Sequence, residues 1–263
     1  MNSKFYKITC ITNMHVGNGD INFTVIDREV EKDVLTGYPI INSSGVKGAI
    51  REFMSGSDNE VKYFGSKVTD KLKDGKTNKP GHLKFLSARM LARPMRVSSG
   101  GSKPYKLVST NEMLKQAKEL VETIKGKEVT NWNVELGAKD NTKVEGYEVY
   151  TPNDSEGEAI KMFGLEDIVI MSSEDFKNVD LPVLARNCLE NGMSTNLWYE
   201  EIVPYKSIFF FGVLENEQVC NNEKKYLNEF DNEINNQMVQ FGGNATIGYG
   251  LTIVNNIEGK KNE

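Results

Sequence analysis

The run "IFFFGVL", from Ile208 to Leu214, constrains the fold more than any other stretch of the sequence. A strand with one face in water alternates apolar and polar residues, whereas this run is apolar throughout. Such continuous runs are typical of strands that are covered on both faces. The sequence therefore predicts a strand buried on both faces here, and 263 residues are enough to form the large core that this requires.

Two strand-helix-strand units account for the amphipathic segments around this run. The first unit joins a strand at 4–13, a helix at 43–54 and a strand that ends at Pro94. The second joins the apolar run, a helix that begins near 223 and a last strand at 246–255. The residues expected to face the core are Tyr6, Ile8 and Cys10; Val46, Ile50 and Phe53; Leu227, Phe230, Ile234 and Met238; and Ile247, Tyr249, Leu251 and Ile253.

This order of elements is the split β-α-β pattern of a ferredoxin-like (RRM-like) α+β fold. A single domain of all 263 residues is expected, with its core drawn from about 1–93 and 207–254. Residues 94–206 would then be a large insertion between the two halves. The insertion includes an amphipathic helix at 112–126, followed by a polar segment at 127–160 that is expected to be irregular.

Composition limits the classes of function. The net charge of -5 argues against indiscriminate nucleic-acid binding but leaves room for a local basic groove. No apolar run approaches the roughly 20 residues of a membrane helix, and the N-terminal segment lacks the apolar centre of a signal peptide. Cys10, Cys188 and Cys220 show no metal-site spacing, so we expect reduced thiols in a cytoplasmic protein without a membrane partner.

The helix opening "INSSGVKGAIR" is a candidate anion site. Ser43 or Ser44 would cap the helix, whose first N–H groups are free to bind a phosphate. Lys47 and Arg51 lie four residues apart and would add positive charge on a neighbouring face. The alternative is an ordinary capped helix with a solvated basic face, and spacing alone favours that alternative.

The segment "FGGNATIGYG" is a second candidate for close contact with a phosphate. Gly242 and Gly243 allow the backbone to approach a ligand closely. The segment has neither the Lys-Ser/Thr of a P-loop nor the order of a dinucleotide-binding motif. Its alternative interpretation is the C-terminal end of a helix followed by a glycine-rich strand.

Three residues are candidates for acid-base or metal chemistry. His15 stands before the glycines of "HVGNG", Asp27 ends the same loop, and Glu200 lies in "WYEE". Each has an ordinary alternative: a histidine bonded to the backbone, an aspartate that caps a turn, and a solvated carboxylate. One of Glu200 and Glu201 is expected to point outward, because neighbouring residues of a strand face opposite sides.

Taken together, four blocks of the sequence resemble the RAMP superfamily, and within it the repeated backbone RNase subunit of the type III-B CRISPR effector. They lie at 11–53, 81–97, 181–213 and 240–254 and cover about half of the chain. The most specific block contains "LPVLARN" and "NLWYEE". The glycine-rich block is shared more widely among RAMP proteins.

The resemblance implies a ferredoxin-like core with a thumb-like hairpin at 181–202, and copies stacked head to tail along a guide RNA beside other effector subunits. It also implies cleavage of the paired target RNA, once per copy, with a divalent metal such as Mg²⁺ or Mn²⁺. Asp27 matches the family's catalytic aspartate, and His15 and Glu200 match its histidine and carboxylate. Phosphate contacts would come from the helix start, the glycines and Arg186.

The resemblance also leaves alternatives. The loop before Asp27 is longer than in the family and is followed by "REVEKD", so Asp20 and Asp33 are alternative candidates for the catalytic aspartate. No protein ligand set for the metal follows from the sequence. A RAMP subunit that binds guide RNA without cutting is the second hypothesis for function. A small-molecule enzyme with a glycine-rich phosphate loop is the third.

Overall fold

The computed structural model describes residues 2–19, 25–66, 79–126, 134–154, 160, 163–165, 167–217 and 226–258. The fold is mixed α+β, as the sequence predicts, and in the described residues it is dominated by β-structure. In chain order the strands are β1 (Ser3–Cys10), β2 (Ile40–Ile41), β3 (Leu83–Phe85), β4 (Ala88–Ser99), β5 (Tyr105–Ser109), β6 (Val134–Val144), β7 (Tyr147–Asp154), β8 (Ile168–Ile170), β9 (Val183–Glu190), β10 (Met193–Glu201), β11 (Ile208–Glu215), β12 (Gln237–Gln240) and β13 (Leu251–Asn256).

The helices are fewer than the strands in the described part of the chain. They are α1 (Ser43–Phe53), α2 (Glu60–Phe64), α3 (Asn111–Lys125), α4 (Ser173–Asn178) and α5 (Tyr226–Ile234), with a short 3₁₀ turn at Ala245–Ile247. None of these helices is long and apolar enough to cross a membrane. Cys10 is buried, Cys188 is exposed, and both are free thiols, whereas Cys220 lies outside the described residues.

The main sheet has the strand order β12-β13-β1-β11-β4-β5-β8-β7-β6. From β12 to β4 every neighbouring pair is antiparallel. The helix α1 lies between β1 and β4 in the sequence, and α5 lies between β11 and β13. Each of the two helices therefore connects strands that are separated in the sheet by one other strand.

The strand β11 occupies the middle of this sheet, and all eight of its residues are buried. Phe209, Phe211 and Val213 pack in one core cluster with residues of α1 and α5. Ile208 and Phe210 belong to a second cluster, which contains residues of α3. The prediction that Ile208–Leu214 is buried on both faces is therefore confirmed, because helices cover the two sides of the strand.

Several local predictions were wrong. The strand expected to end at Pro94 continues to Ser99. It exchanges partners there, since β4 pairs with β11 as far as Ala92 and with β5 from Arg93 onwards. A register irregularity between Met90 and Ala92 precedes this change of partner, and Pro94 itself lies opposite Leu107 of β5.

The segment at 127–160 is not irregular where it is described, because β6 and β7 form an antiparallel hairpin. Its turn uses Glu145 and Gly146, both at positive φ. This is the conformation that a tight two-residue hairpin turn requires.

Three core assignments also fail. Phe53 is 41% exposed and Met238 is 55% exposed, the latter because it lies in β12 beyond the end of α5. In β13 the buried residues are Thr252 and Val254, so the core-facing register is shifted by one from the expected one.

The segment at 181–202 forms a two-stranded antiparallel hairpin of β9 and β10. It is a separate sheet, and most of β9 is exposed on both faces. The base of this hairpin, at the C-terminal end of β10, leads directly into the residues of the candidate site.

Candidate functional site

Residues 27–30 run beside the end of β10, and we call these residues together with 198–201 the carboxylate edge. The Arg28 N–H donates to the Tyr199 carbonyl at 3.2 Å, and the Glu201 N–H donates to the Arg28 carbonyl at 2.9 Å. Asp27 is exposed, and its Oδ2 accepts a 2.8 Å hydrogen bond from the Tyr199 N–H. The carboxylate of Asp27 is therefore held in one place although it faces solvent.

Glu200 lies behind Asp27 and is fully buried. Its Oε2 accepts a 2.7 Å bond from Arg186 Nη1, and its Oε1 accepts a 2.7 Å bond from Asn244 Nδ2. Burial raises the pKa of this carboxyl. The bonds from Arg186 and Asn244 and the nearby His15 lower the pKa by more than burial raises it, so the net shift is downward. Glu200 is thus an ionised carboxylate that organises its neighbours.

Glu201 is also buried, which corrects the expectation that one glutamate of the pair is solvated. Its side chain accepts bonds of 2.9 Å from the Val30 N–H and from Lys32 Nζ. Both carboxylates are buried because each has its own bonded partners: Val30 and Lys32 for Glu201, and Arg186 and Asn244 for Glu200.

His15 connects the two glutamates. Its Nδ1 lies 2.8 Å from the Glu201 carbonyl, which can only accept, so Nδ1 carries the proton. Its Nε2 lies 3.9 Å from Glu200 Oε1. The histidine is buried and bonded to the backbone, which is the ordinary alternative considered above, and it lies beside the candidate carboxylates.

Two arginines and two aromatic rings form an alternating series in front of Glu200. The Arg186 guanidinium carbon lies 5.5 Å from the centre of the Tyr249 ring and 5.7 Å from that of Trp198. The Arg28 guanidinium carbon lies 5.6 Å from the Trp198 ring. These distances are within the range of cation–π attraction, so the rings help to orient both arginines.

The glycine segment is attached to the same site. The Gly243 N–H donates to the His15 carbonyl at 2.9 Å. Gly242 has φ +77°, and a Cβ there would lie 2.3 Å from that carbonyl oxygen. Gly242 follows β12, so it does not end a helix as its alternative interpretation supposed. The glycine is required because the chain turns in a left-handed conformation against His15.

The start of α1 faces this glycine segment across a groove of about 480 Å³ lined in part by Gly45, Ala49 and Gly242. We call it the glycine groove. The helix is capped at Asn42, not at Ser43 or Ser44, and Asn42 makes no side-chain capping bond. The Ser43 N–H already donates to Ser87 Oγ at 3.1 Å.

The two basic residues of α1 differ in their contacts. Arg51 donates to Glu60 Oε1 at 2.9 Å and to the Gly65 carbonyl at 3.0 Å, so its charge connects α1 to α2. Lys47 has no ion pair among the described residues. Burial and the like charge of Arg51 lower the pKa of Lys47. Only Lys47 of this pair is available to a phosphate without breaking an internal bond.

Asp33 and Asp20 were the alternative candidates for the catalytic aspartate, and Asp33 is engaged in internal bonds. Asp33 Oδ1 accepts bonds from the Leu35 N–H at 3.1 Å and from the Thr36 N–H and hydroxyl at 2.9 and 3.0 Å. Burial raises the pKa of Asp33, but these bonds and Arg89 bring it below its usual value. Asp33 therefore holds a turn in place. Asp20 lies outside the described residues.

The structure brings Asp27, His15, Glu200, Arg186 and the glycines to one site. Ser43, Ser44, Lys47 and Arg51 lie apart from it on α1 and are not among the residues that line the glycine groove. Sequence reasoning missed Asn244, which adopts φ +63° and donates to Glu200. Its position after two glycines was a usable signal, since asparagine adopts this conformation more readily than most residues. The described residues contain no group of three or more His, Cys, Asp and Glu side chains arranged for a metal.

Comparison with known proteins agrees with this architecture. The RAMP superfamily model matches residues 7–253. The chain is 24% identical to the CRISPR system Cmr endoribonuclease Cmr4 of Pyrococcus furiosus, over 93% of this chain and 92% of that protein. Among solved structures, the type III-B Cmr-beta complex bound to cognate target RNA contains a chain with a TM-score of 0.76 and 23% identity, with 98% of each chain covered. Oligomeric Cmr4 from Pyrococcus furiosus gives a TM-score of 0.70 and 20% identity, over 98% of this chain and 99% of that one.

The fold and the matched range define a class: this chain belongs to the RAMP superfamily. Within that class it is similar to Cmr4 proteins over nearly its whole length.

Proposed function

We propose that this chain is a backbone subunit of a type III-B CRISPR effector that binds guide RNA and cleaves the paired target RNA, with Asp27 as the catalytic carboxylate. The observation that carries this proposal is the exposed Asp27 carboxylate, fixed by the Tyr199 N–H at the place where the RAMP resemblance puts the catalytic aspartate. The name of the Pyrococcus furiosus relative, an endoribonuclease, supports it. We also infer that β1, α1, β4, β11, α5 and β13 form a ferredoxin-like core, because they supply the antiparallel order β13-β1-β11-β4.

The chemistry requires little from the protein beyond placement and charge. The 2′-oxygen of the target attacks the adjacent phosphorus and the bond to the 5′-oxygen breaks, which leaves a 2′,3′-cyclic phosphate and a 5′-hydroxyl. The 2′-hydroxyl gives up its proton and the departing 5′-oxygen gains one. Asp27 orients the 2′-hydroxyl or would hold a metal ion beside it.

His15 and Glu200 act through position in this proposal. Both are buried, and the oxygens of Glu200 are bonded to Arg186 and Asn244. Together they fix the end of β10, whose Tyr199 N–H holds Asp27. Loss of either residue would therefore displace the catalytic carboxylate rather than remove a group that touches RNA.

Among the described residues this site offers too few carboxylates to hold a divalent ion alone, so such an ion would take further ligands from the RNA. Asp27 offers a single exposed carboxylate, with Oδ2 already bonded. Mg²⁺ commonly takes one or two carboxylates and completes its shell with water and phosphate oxygens. Asp27 would hold such an ion, which would supply positive charge near the reacting phosphate.

Guide RNA would lie across the start of α1 and the glycine segment beside it. The backbone at Gly242 and Gly243, the exposed Ser44 and the ammonium of Lys47 can contact phosphates without reading bases. Arg186 would add charge at the end of the groove near Glu200. Copies of the chain would stack head to tail along the guide beside other effector subunits in the cytoplasm, as the resemblance implies.

The test is cleavage of complementary RNA by the assembled effector that contains Asp27→Ala. Cleavage in the presence of Mg²⁺ or Mn²⁺ should fall by orders of magnitude while guide and target binding persist. Asp33→Ala is the matched control, since Asp33 is a loop carboxylate with a structural turn role, and it should cut at nearly the wild-type rate.

Three results would contradict the proposal in different ways. A wild-type rate for Asp27→Ala would exclude this aspartate. An inactive Asp33→Ala variant beside an active Asp27→Ala variant would show that the loop register is wrong. Guide binding without any cutting by the wild-type effector would favour the scaffold hypothesis, and purification without RNA would favour a small-molecule enzyme.

A further inference from the structure

We propose that Arg28 contacts the non-bridging oxygens of the scissile phosphate and stabilises the charge that develops during cleavage. This inference rests on the proposed function. It assigns a second catalytic residue, adjacent to Asp27 in the sequence but different from it in chemistry.

The backbone of Arg28 is fixed on both sides. Its N–H donates to Tyr199 and its carbonyl accepts from Glu201, so residues 28 and 200 form a parallel bridge. Asp27 is held by the N–H of the same Tyr199. The two side chains therefore leave one rigid stretch of backbone and keep a constant relation to each other.

Of the two arginines near Glu200, Arg28 and Arg186, the guanidinium of Arg28 makes the weaker contact with this carboxylate. Arg186 bonds to Glu200 at 2.7 Å with a side chain that is 23% exposed. The nearest pair from Arg28 to the same carboxylate is 3.8 Å, too long for a hydrogen bond, and its side chain is 54% exposed. Trp198 lies 5.6 Å from it, which orients the group without using its N–H donors.

This arrangement suits a phosphate that becomes more negative. In the attack by the 2′-oxygen, charge accumulates on the non-bridging oxygens before the 5′-oxygen leaves. A guanidinium presents paired donors that match two such oxygens, and a donor oriented in advance acts more strongly on the transition state than on the ground state. Because Arg186 already neutralises Glu200, Arg28 supplies positive charge beside Asp27.

The experiment compares Arg28→Ala, Arg28→Lys and wild type in the assembled effector under single-turnover conditions. Arg28→Ala should slow cleavage by about 10²-fold with little change in the Kd for target RNA. Arg28→Lys should retain part of the rate, because it keeps the charge and loses the paired geometry. Arg96→Ala is the control, since Arg96 lies on β4, its side chain is 78% exposed, and it pairs with Glu145 in the turn between β6 and β7.

A merely structural role is tested with target RNA that carries sulfur in place of one non-bridging oxygen of the scissile phosphate, each diastereomer separately. If Arg28 binds that oxygen, one diastereomer slows the wild type more than it slows Arg28→Ala, as in a double-mutant cycle. Equal slowing in both proteins for both diastereomers overturns the contact, and so does a wild-type rate for Arg28→Ala. Failure of the proposed function is visible separately, as cleavage that is absent in wild type or unaffected by Asp27→Ala.

Discussion

At the carboxylate edge the charge of Glu200 is fully buried between bonded partners. Beside the glycine groove, on a different face of α1 from the residues that line it, the ammonium of Lys47 has no ion pair among the described residues. At the carboxylate edge, Glu200 is bonded to Arg186 and Glu201 to Lys32, while Asp27 and Arg28 are exposed. The glycine groove is lined by Gly45 and Gly242 and by the carboxylate of Glu52, and the neighbouring surface of α1 adds the available cation of Lys47. The same molecule thus has one region built for fixed geometry and another suited to contact with a repeating phosphate backbone.

Because of this contrast, substitutions in the two regions should have different effects. Substitutions at the carboxylate edge should change stability and cleavage together, because its groups position one another. Substitutions around the glycine groove should lower RNA affinity by an amount that depends on how much positive charge they remove. The effect should be the same for all RNA sequences, since phosphate contacts carry no sequence information. Matched variants of the two regions test this division.

The largest effect is expected from Glu200→Ala. It leaves the buried end of the site without the carboxylate that holds Arg186 and Asn244. We expect a loss of about 3 kcal/mol in the free energy of unfolding, because removal of one member of a buried ion pair leaves its partners uncompensated. Denaturant unfolding of the purified chain measures this, and an unchanged midpoint would show that the network is dispensable.

Glu200→Gln gives the pH dependence of the same network. The pKa of Glu200 in the folded protein lies below its usual value of 4.5. The stabilisation from its charge is therefore fully present above pH 4.5 and is lost as the pH falls through the lowered folded pKa. The stability difference between wild type and Glu200→Gln should accordingly narrow below pH 4.5. A difference that stayed constant down to acid unfolding would contradict an ionised Glu200.

A smaller loss of stability is expected from substitution of Gly242, where the glycine segment contacts His15. Gly242→Ala places a Cβ 2.3 Å from the His15 carbonyl oxygen at φ +77°, so the cost should be about 1–3 kcal/mol. Gly243→Ala is the matched control, because its Cβ would approach nothing closer than 4.0 Å. Thermal unfolding of the two variants should differ clearly. Equal midpoints would mean that the turn relaxes without strain.

Much of the core was predictable because its signals are local. The burial of Ile208–Leu214 and the alternation of Tyr6, Ile8 and Cys10 depend on periodicity alone, and the structure confirms both. The register of β13 was not predictable in this way, because Thr252 is buried while Ile253 is only half-buried. Its orientation depends on pairing with β1 and β12, which are distant in the sequence.

The candidate site shows the same limit more sharply. The place of Asp27 was inferred from family resemblance, but its bond to Tyr199 joins residues 172 positions apart. The network of Glu200 draws on His15, Arg186 and Asn244, and no spacing rule connects these positions. Side-chain chemistry suggested the participants, whereas their partners depended on the antiparallel hairpin of β9 and β10 and on the glycine turn.

The smallest effect concerns the two basic residues of α1, which the sequence treats as a pair and the structure separates. Lys47→Ala should reduce the magnitude of the salt slope of RNA binding by about 0.7 for each phosphate that the lysine would otherwise neutralise, equally for all guide sequences. Arg51→Ala should leave that slope nearly unchanged, because the guanidinium is bonded to Glu60 and the Gly65 carbonyl. It should instead lower stability by about 1.5 kcal/mol, since those bonds join α1 to α2. Binding isotherms at several salt concentrations, together with unfolding curves for both variants, separate the two roles. A slope that falls for Arg51→Ala and not for Lys47→Ala would mean that Arg51 leaves Glu60 when RNA binds, and that the charges of α1 rearrange whereas those of the carboxylate edge stay fixed.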